Sequence, residues 1–218
     1  MENKLQFFVA GLGRFGKSVA VSLDHMGYDV MAMDIDEAVV QDLSGSLGYV
    51  VCADASDEKN LAAIGAGNAD VAVVSIGDLS ANLMTTLILK EMGVKKIVVK
   101  ALDELHGKML KKIGADKVVY SEKEMGVRVA HNLISPGIVD YIEMDDNITI
   151  LSIRLPDAWI GKSLIDLNVR QKYHITVVAI KRKNKMTVNP RPDLIMEKDD
   201  MLIILGDSES VRDVTESL

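Results

Sequence analysis

The feature that most constrains this chain lies near its start, where an apolar run leads directly into three closely spaced glycines. Residues 5–10, Leu-Gln-Phe-Phe-Val-Ala, precede the segment 11–16, Gly-Leu-Gly-Arg-Phe-Gly, and a second apolar run ends at Asp34. An apolar run, a G-x-G-x-x-G turn and a helical pattern are typical of the strand, turn and helix of a βαβ unit. The chain is therefore predicted to begin as the first unit of a parallel sheet.

Each position of this glycine-rich segment has its own physical role. Gly11 allows a tight turn, Gly13 lets the backbone approach a phosphate, and Gly16 lets the helix pack closely on the strand. The phosphates of a ligand then face the N–H groups at a helix N-terminus. Asp34 follows at about the distance, roughly 20 residues, at which a carboxylate accepts hydrogen bonds from ribose hydroxyls and repels the 2′-phosphate of NADP. The pattern predicts an adenine-nucleotide site that disfavours NADP.

Further residues are predicted to line this site. Arg14 suits a phosphate, because a cation in the first turn of a helix is unfavourable without an anion nearby; the alternative is a solvated arginine. Phe15 belongs to the same segment. Asp54 and Ala55 follow the third predicted strand, where they are placed to line an adenine pocket. Lys100 ends the fifth strand at the same edge, where it contacts phosphate or is solvated.

Two acids, Glu122 and Glu124, stand where the sixth predicted strand meets a long helix. Acidic residues are favoured at helix N-termini by the helix dipole alone. A carboxylate beside a nucleotide also suits a divalent cation, since hard ions take oxygen ligands. Glu122 is the candidate metal ligand.

The order of the apolar patterns predicts an α/β fold, a Rossmann-like doubly wound parallel sheet with a second, smaller α+β domain. Short apolar runs alternate with helical patterns over residues 1–120, which is typical of a parallel sheet covered on both faces. A linking helix is predicted over 121–142, with the second domain at 143–218. That domain shows strand-like alternation, a hairpin at 176–188, a last strand at 201–205 and a final helix capped by Ser208.

Composition excludes several classes of protein. The 218 residues carry a net charge of −7, whereas a nucleic-acid partner requires a basic face. No apolar run approaches the roughly 20 residues needed to span a bilayer, and the N-terminus lacks the pattern of a secretory leader. The lone Cys52 excludes an internal disulfide, fits a reducing cytosol and is expected to be a buried, inert strand residue.

The sequence offers a nucleotide site without an evident reaction. No nucleophile elbow, paired cysteines or H-E-x-x-H motif is present. Surface or packing roles are expected for the four histidines, His25, His106, His131 and His174. Two functions remain open at this point: a nucleotide-binding regulatory module, and an NAD-dependent oxidoreductase with an unrecognised substrate domain.

Taken together, these segments make the chain similar to the cytosolic gating subunits of bacterial Trk/Ktr potassium-uptake systems, whose units are called RCK or KTN domains. The Ktr branch is the most similar. The resemblance covers nearly the whole length and rests on residues 11–16, 33–36, 54–56, 85–91, 108–116, 121–126, 165–170 and 178–181.

This resemblance implies a regulatory subunit that is not an enzyme and that changes conformation on exchanging ATP for ADP, with NAD or NADH as alternative ligands. It implies dimers that assemble into a ring, an octamer, beneath a membrane potassium channel or transporter subunit. The expected location is the cytoplasm, at the inner face of the cell membrane. No nucleic-acid partner is expected.

The resemblance also implies roles for single residues. Arg14 would sense the γ-phosphate, Asp34 would bind the ribose, and Asp54 and Ala55 would contact the adenine. Glu122 would coordinate a cation, Mg²⁺ or Ca²⁺, between facing phosphates. In the second domain, four residues fall where relatives bind cyclic di-AMP at a dimer interface: Ile165, Arg170, Ile175 and Pro190.

Overall fold

The computed structural model describes residues 4–134, 138–145 and 147–215. The chain divides into two compact units, Met1–Glu122 and Lys123–Leu218. Each unit has its own sheet and its own apolar core, and each is described by itself below.

The first unit is built on a six-stranded parallel sheet with the strand order β3-β2-β1-β4-β5-β6. This agrees with the doubly wound sheet predicted from the sequence. The strands are Gln6–Ala10 (β1), Asp29–Asp34 (β2), Tyr49–Cys52 (β3), Val71–Val74 (β4), Lys96–Lys100 (β5) and Lys117–Val119 (β6).

Helices connect these strands and cover the sheet. Four of them begin directly after an aspartate whose side chain accepts a backbone N–H of the first turn, which is a strong N-capping arrangement. The helices are Arg14–His25 (α1), Glu37–Leu43 (α2), Glu58–Ala63 (α3), Leu79–Glu91 (α4) and Glu104–Ile113 (α5). A further helix, Ser121–Ile134 (α6), follows β6 and contains the boundary between the two units.

The apolar side chains of this sheet form two buried clusters. One contains Phe8, Val74 and Leu89, and the other contains Val9 and Ala32. Successive residues of β1 therefore alternate between the clusters, as expected for a central strand buried on both faces. This double burial explains why β1 reads as a continuous apolar run.

The strand order places a crevice at the carboxyl ends of the central strands. β1 pairs with β2 on one side and with β4 on the other, so the chain reverses direction across the sheet at this point. Open α/β sheets bind ligands outside the carboxyl ends of the strands at such a switch point. The turn after β1, which carries Gly11 and Gly13, opens into this crevice.

The second unit contains a five-stranded sheet with the order β10-β9-β11-β8-β7, in which all described pairs are antiparallel. Its core surrounds Trp159, Ile153 and Leu202. The elements are Ile138–Asp145 (β7), Ile148–Arg154 (β8), Leu164–Leu167 (α7), Val169–Lys172 (α8), Thr176–Arg182 (β9), Lys185–Val188 (β10), Met201–Asp207 (β11) and Ser208–Thr215 (α9).

Three local expectations differ from the structure. The segment expected to be a linking helix to residue 142 is helical only to Ile134, and strand β7 crosses the expected boundary at 143; residues 135–137 lie outside the described residues. The final helix is capped by Asp207, whose carboxylate accepts from the Ser210 N–H at 2.8 Å, instead of by Ser208. Cys52 is exposed, because β3 is an edge strand.

Candidate nucleotide-binding site

A cavity of about 330 Å³ lies at the carboxyl edge of the parallel sheet. It brings together residues that come from the turn after β1, the end of β2, the turn after β4, the end of β5 and the start of α6. The lining residues are Gly11, Gly13, Arg14, Phe15, Asp34, Ser75, Ile76, Gly77, Lys100 and Glu122.

Two of the three glycines, Gly11 and Gly16, are required by close approaches. Gly11 has a φ of +85°, and a Cβ on it would lie 2.8 Å from the backbone nitrogen of Ile76. A Cβ on Gly16 would lie 1.9 Å from the Gly11 carbonyl oxygen. A Cβ on Gly13 would meet nothing within 4 Å, so the space in front of this residue is open to a ligand. Gly11 and Gly16 therefore have no room for a side chain, whereas Gly13 does.

The N-terminus of α1 differs from those of α2 to α5. Its N-cap residue is Gly13, no side chain caps it, and its first turn contains no acidic residue. The first backbone N–H groups of a helix need a partner, and together with the helix dipole they favour an anion. The cavity therefore presents an N-terminus that suits a phosphate group.

Arg14, the first residue of α1, is exposed at the cavity wall. It forms no ion pair with any residue that the structure describes. A guanidinium offers several N–H donors in a fixed fork that matches phosphate oxygens. Arg14 is thus a cation available to an anionic ligand.

Asp34 sits at the end of β2, where both of its carboxylate oxygens accept backbone hydrogen bonds. One oxygen accepts from the N–H of Leu12 at 2.5 Å, and the other accepts from the N–H of Asp36 at 2.9 Å. These bonds fix the carboxylate against the glycine-rich turn. Each oxygen keeps a lone pair for a ligand hydroxyl.

Lys100 and Glu122 form an ion pair across the cavity wall, with 2.7 Å between Nζ and Oε1. The Ser121 hydroxyl donates to the other oxygen of Glu122 at 2.7 Å. Hydrogen bonds from Lys100 first, and then from Ser121, lower the pKa of the Glu122 carboxyl to about 2. Within the described ranges, no group of three or more His, Cys, Asp or Glu side chains is arranged to hold a metal ion.

The sequence did not indicate four residues that complete the site. Ser75, Ile76 and Gly77 line the cavity after β4. Asn82 is fully buried in α4, and its amide donates to the carbonyls of Ile76 and Lys100 at 2.9 and 3.3 Å. Asn82 thereby holds the ends of β4 and β5 together.

Asp54 and Ala55 follow β3, which ends at Cys52, and they are not among the residues that line the cavity. Asp54 is exposed, and it accepts hydrogen bonds from the N–H and hydroxyl of Ser56 at 2.8 and 2.7 Å. These two bonds, led by that from the hydroxyl, lower the pKa of Asp54. The next helix is capped by Asp57.

The TrkA-N domain model matches residues 7–121, and the TrkA-C domain model matches residues 142–218. This chain belongs to the TrkA-N/TrkA-C family. A Ktr system potassium uptake protein C from Bacillus subtilis is 41% identical over 97% of this chain and 95% of its own length. A Ktr system potassium uptake protein A from Vibrio alginolyticus is 31% identical over 98% and 97%.

Solved structures of GsuK share the fold of this chain. A GsuK channel bound to NAD is 27% identical, with a TM-score of 0.55 over 99% of this chain and 39% of that chain. A GsuK structure bound to ADP is 29% identical, with a TM-score of 0.52 over 61% of this chain and 34% of that chain. The chain thus spans well under half the length of these channel proteins.

In the TrkA-C domain, a cavity of about 510 Å³ is lined by three of the four residues for which the resemblance implied a cyclic di-AMP site, namely Ile165, Arg170 and Pro190. Arg191 also lines it. The fourth residue, Ile175, is 2% exposed in the core and does not line the cavity.

The histidines show no shared site. His25 and His174 are exposed, and the side chain of His131 lies outside the described residues. His106 is buried, and its Nδ1 accepts from the Leu102 N–H at 3.2 Å. Burial lowers the pKa of His106, so it serves as a neutral acceptor in the turn between β5 and α5.

In the part of the chain that the structure describes, no helix is both long and apolar enough to cross a bilayer.

Proposed function

We propose that this chain is the cytoplasmic regulatory subunit of a Ktr/Trk-type potassium uptake system, held at the inner face of the cell membrane by a channel subunit. The observation that carries the proposal is the cavity beside the uncapped N-terminus of α1, in a chain whose relatives are named as Ktr potassium uptake proteins. The ligand is bound without being chemically changed, and the chain is not an enzyme.

ATP and ADP are the proposed physiological ligands. The phosphates lie against the N–H groups at the start of α1, and the ribose hydroxyls bond to Asp34. Asp54 and Ala55 contact the adenine from the end of β3, beyond the cavity itself. Phe15 and Gly13 border the phosphate path.

Arg14 is the residue that distinguishes ATP from ADP in this proposal. It is exposed at the cavity and forms no ion pair among the described residues, so its guanidinium is available to the γ-phosphate that only ATP carries. A ligand shifts a conformational equilibrium only by its differential affinity for the two states. A hundredfold shift needs about 2.7 kcal/mol, and a hydrogen bond to a charged group supplies about 1.5–3 kcal/mol.

Glu122 is the proposed ligand of Mg²⁺ or Ca²⁺ beside the terminal phosphate. Its carboxylate stays ionised because its pKa is held near 2. Since the described residues offer no complete metal cluster in one chain, the remaining ligands are phosphate oxygens and groups of a facing subunit. The cation neutralises phosphate charge when it is bound.

NAD and NADH remain alternative ligands of the same cavity. The crevice of a doubly wound sheet accepts both mononucleotides and dinucleotides, and a related GsuK channel is described as bound to NAD. Asp34 disfavours NADP through repulsion of its 2′-phosphate. Steady oxidation of NADH with an added substrate would instead support an oxidoreductase.

Cyclic di-AMP is the proposed ligand of the TrkA-C cavity. Arg170 and Arg191 give that cavity two cations, while Ile165 and Pro190 give it apolar walls. An anionic dinucleotide needs both. Ile175 contributes to this site from the core beneath the cavity and not by direct contact.

The proposed assembly is a ring of dimers, an octamer, beneath the channel subunit. Helices α4 and α5 pack against each other and expose several large apolar side chains, which mark an interaction surface. We call these residues the α4–α5 apolar face; they are Leu79, Met84, Leu87, Leu105 and Met109.

A calorimetric competition among ATP, ADP, NAD and NADH on the purified protein tests the proposal. We expect ATP and ADP to bind more tightly than the dinucleotides, and Arg14→Ala to weaken ATP more than ADP. Equal weakening of ATP and ADP would contradict the role of Arg14 as γ-phosphate sensor. Tighter binding of NADH together with hydride transfer would contradict the regulatory function.

A further inference from the structure

A second cavity of the first unit lies at the opposite edge of the sheet from the nucleotide site. Its volume is about 250 Å³, and it is formed at the amino-terminal ends of β1, β2 and β3 and the end of α1. Pockets for whole small molecules are usually about 300–1,000 Å³. This cavity therefore suits a single side chain better than a nucleotide.

The charged residues that line this cavity are acidic. Asp24, in the last turn of α1, and Asp29, the first residue of β2, both line it, and no lysine or arginine does. Neither carboxylate forms an ion pair with a described residue. The C-terminal end of α1 adds partial negative charge at the same place. The cavity therefore favours the binding of a cation.

Two tyrosines border the same cavity, and both are partly exposed. Tyr28 is 37% exposed and Tyr49 is 47% exposed. Phe7 packs against the Tyr28 ring in an edge arrangement, with 5.2 Å between ring centroids, so the Tyr28 ring is held in place before anything binds. The buried side chain of Val30 and the half-buried Met31 form an apolar floor.

Carboxylates, aromatic rings and an apolar floor together match one kind of group. An arginine or lysine side chain has an apolar stem, and its charged end binds carboxylates and stacks on tyrosine faces. The aromatic rings would add nothing to the binding of a free metal ion, and the two carboxylates would repel an anion.

We propose that this cavity binds an arginine or lysine side chain from a cytoplasmic segment of the membrane channel subunit. The choice of that partner rests on the proposed function. Membrane proteins carry an excess of Lys and Arg in their cytoplasmic loops, which complements this chain's net charge of −7. A second copy of the chain carries the same negative charge and is the less favourable occupant.

The first test measures cation recognition with small probes on the full chain. N-acetyl-arginine amide is titrated into protein with ¹³C-labelled methionine methyl groups, and the isosteric neutral N-acetyl-citrulline amide is the control. We expect the Met31 resonance to shift with arginine and not with citrulline. Asp29→Asn should weaken the arginine response about threefold, as for an exposed charge pair. Asp199→Asn removes the same charge from an exposed site in the second unit and should change nothing.

The second test identifies the partner in the assembled complex. A benzophenone side chain replaces Tyr49, and the chain is co-expressed with the membrane subunit of its own operon or genome and irradiated. We expect a cross-link to a Lys- or Arg-containing cytoplasmic segment of that subunit.

Three outcomes would overturn the proposal: no Met31 shift, an equal shift with citrulline, or a cross-link to a second copy of this chain. ATP binding is measured on the same preparation. If ATP binds and arginine does not, only this inference fails, whereas a chain that binds no adenine nucleotide contradicts the proposed function.

Discussion

At Gly16, one added methyl group would collide with the backbone of the turn that precedes it. Its Cβ would lie 1.9 Å from the Gly11 carbonyl oxygen, which cannot move without displacing β1. We expect Gly16→Ala to lower the free energy of unfolding by about 1–3 kcal/mol, as overpacking does, and to abolish nucleotide binding. Urea denaturation and calorimetry check the two effects.

Gly13→Ala is the matched control, because a Cβ there meets nothing within 4 Å and Gly13 has a negative φ. We expect the free energy of unfolding of Gly13→Ala to stay within about 0.5 kcal/mol of that of the parent protein. ATP binding should weaken at least tenfold, because the methyl group enters the space proposed for the phosphates. Unchanged ATP affinity in Gly13→Ala would place the phosphates elsewhere.

The ionisation of Glu122 gives a second residue-scale prediction. Its carboxyl pKa is about 2 instead of 4.5, chiefly through the Lys100 hydrogen bond. A depressed native pKa contributes stability above pH 4.5, and that contribution is lost as the pH falls towards 2. It is small, because the Glu122 side chain is 67% exposed.

We expect an NMR titration of the Glu122 carboxyl carbon to give a pKa well below 4.5, and Lys100→Gln to raise it. A pKa that does not change in Lys100→Gln would mean that Lys100 does not bond to Glu122 in solution.

At the scale of elements, the aspartate caps anchor the helices around the carboxyl edge of the sheet. Asp103 accepts the His106 N–H at 2.8 Å at the start of α5. Asp103→Ala is expected to lower the free energy of unfolding by about 1 kcal/mol. Asp103→Asn keeps an acceptor and is expected to change stability by much less. If urea denaturation gives equal losses of unfolding free energy in the two variants, the capping hydrogen bond is not the cause of the loss.

Elements with strong patterns were predictable from the sequence. The six parallel strands follow from short apolar runs between helical patterns, and the hairpin of β9 and β10 follows from alternation around a polar turn. Strand β7 was missed because its acidic end, with Glu143 and Asp145, is typical of a linker. β7 and β8 form a tight antiparallel hairpin, with Asp145 opposite Ile148, and this pairing decides the conformation of β7.

The candidate site was predictable where one sequence motif supplies it. Gly11, Gly13, Arg14 and Asp34 lie in or near the fingerprint and line one cavity, whereas Gly16 is not among its lining residues. Ser75 and Asn82 were not predictable, because they reach the site through strand order and through a buried amide that bridges two strand ends. The exposure of Cys52 also depends on strand order, since only the sheet topology shows that β3 is an edge.

At the scale of the whole molecule, assembly is expected to depend on the α4–α5 apolar face. Leu105 is 69% exposed there, so Leu105→Lys should leave the fold of the chain intact and reduce the oligomer to smaller species. Met26 is 70% exposed but lies outside this face, so Met26→Lys is the matched control. Light scattering after size-exclusion chromatography measures both variants. An unchanged mass for Leu105→Lys would remove the face from the assembly.

The central claim is that nucleotide binding is converted into movement between subunits without breaking a bond. Double electron–electron resonance tests it most directly, with spin labels on Val129→Cys of α6 in a Cys52→Ser background and with saturating ATP or ADP. The account predicts different inter-subunit distance distributions for the two nucleotides, while the ATP remains unhydrolysed during the measurement. Identical distributions, or a difference that appears only as ATP is consumed, would contradict it.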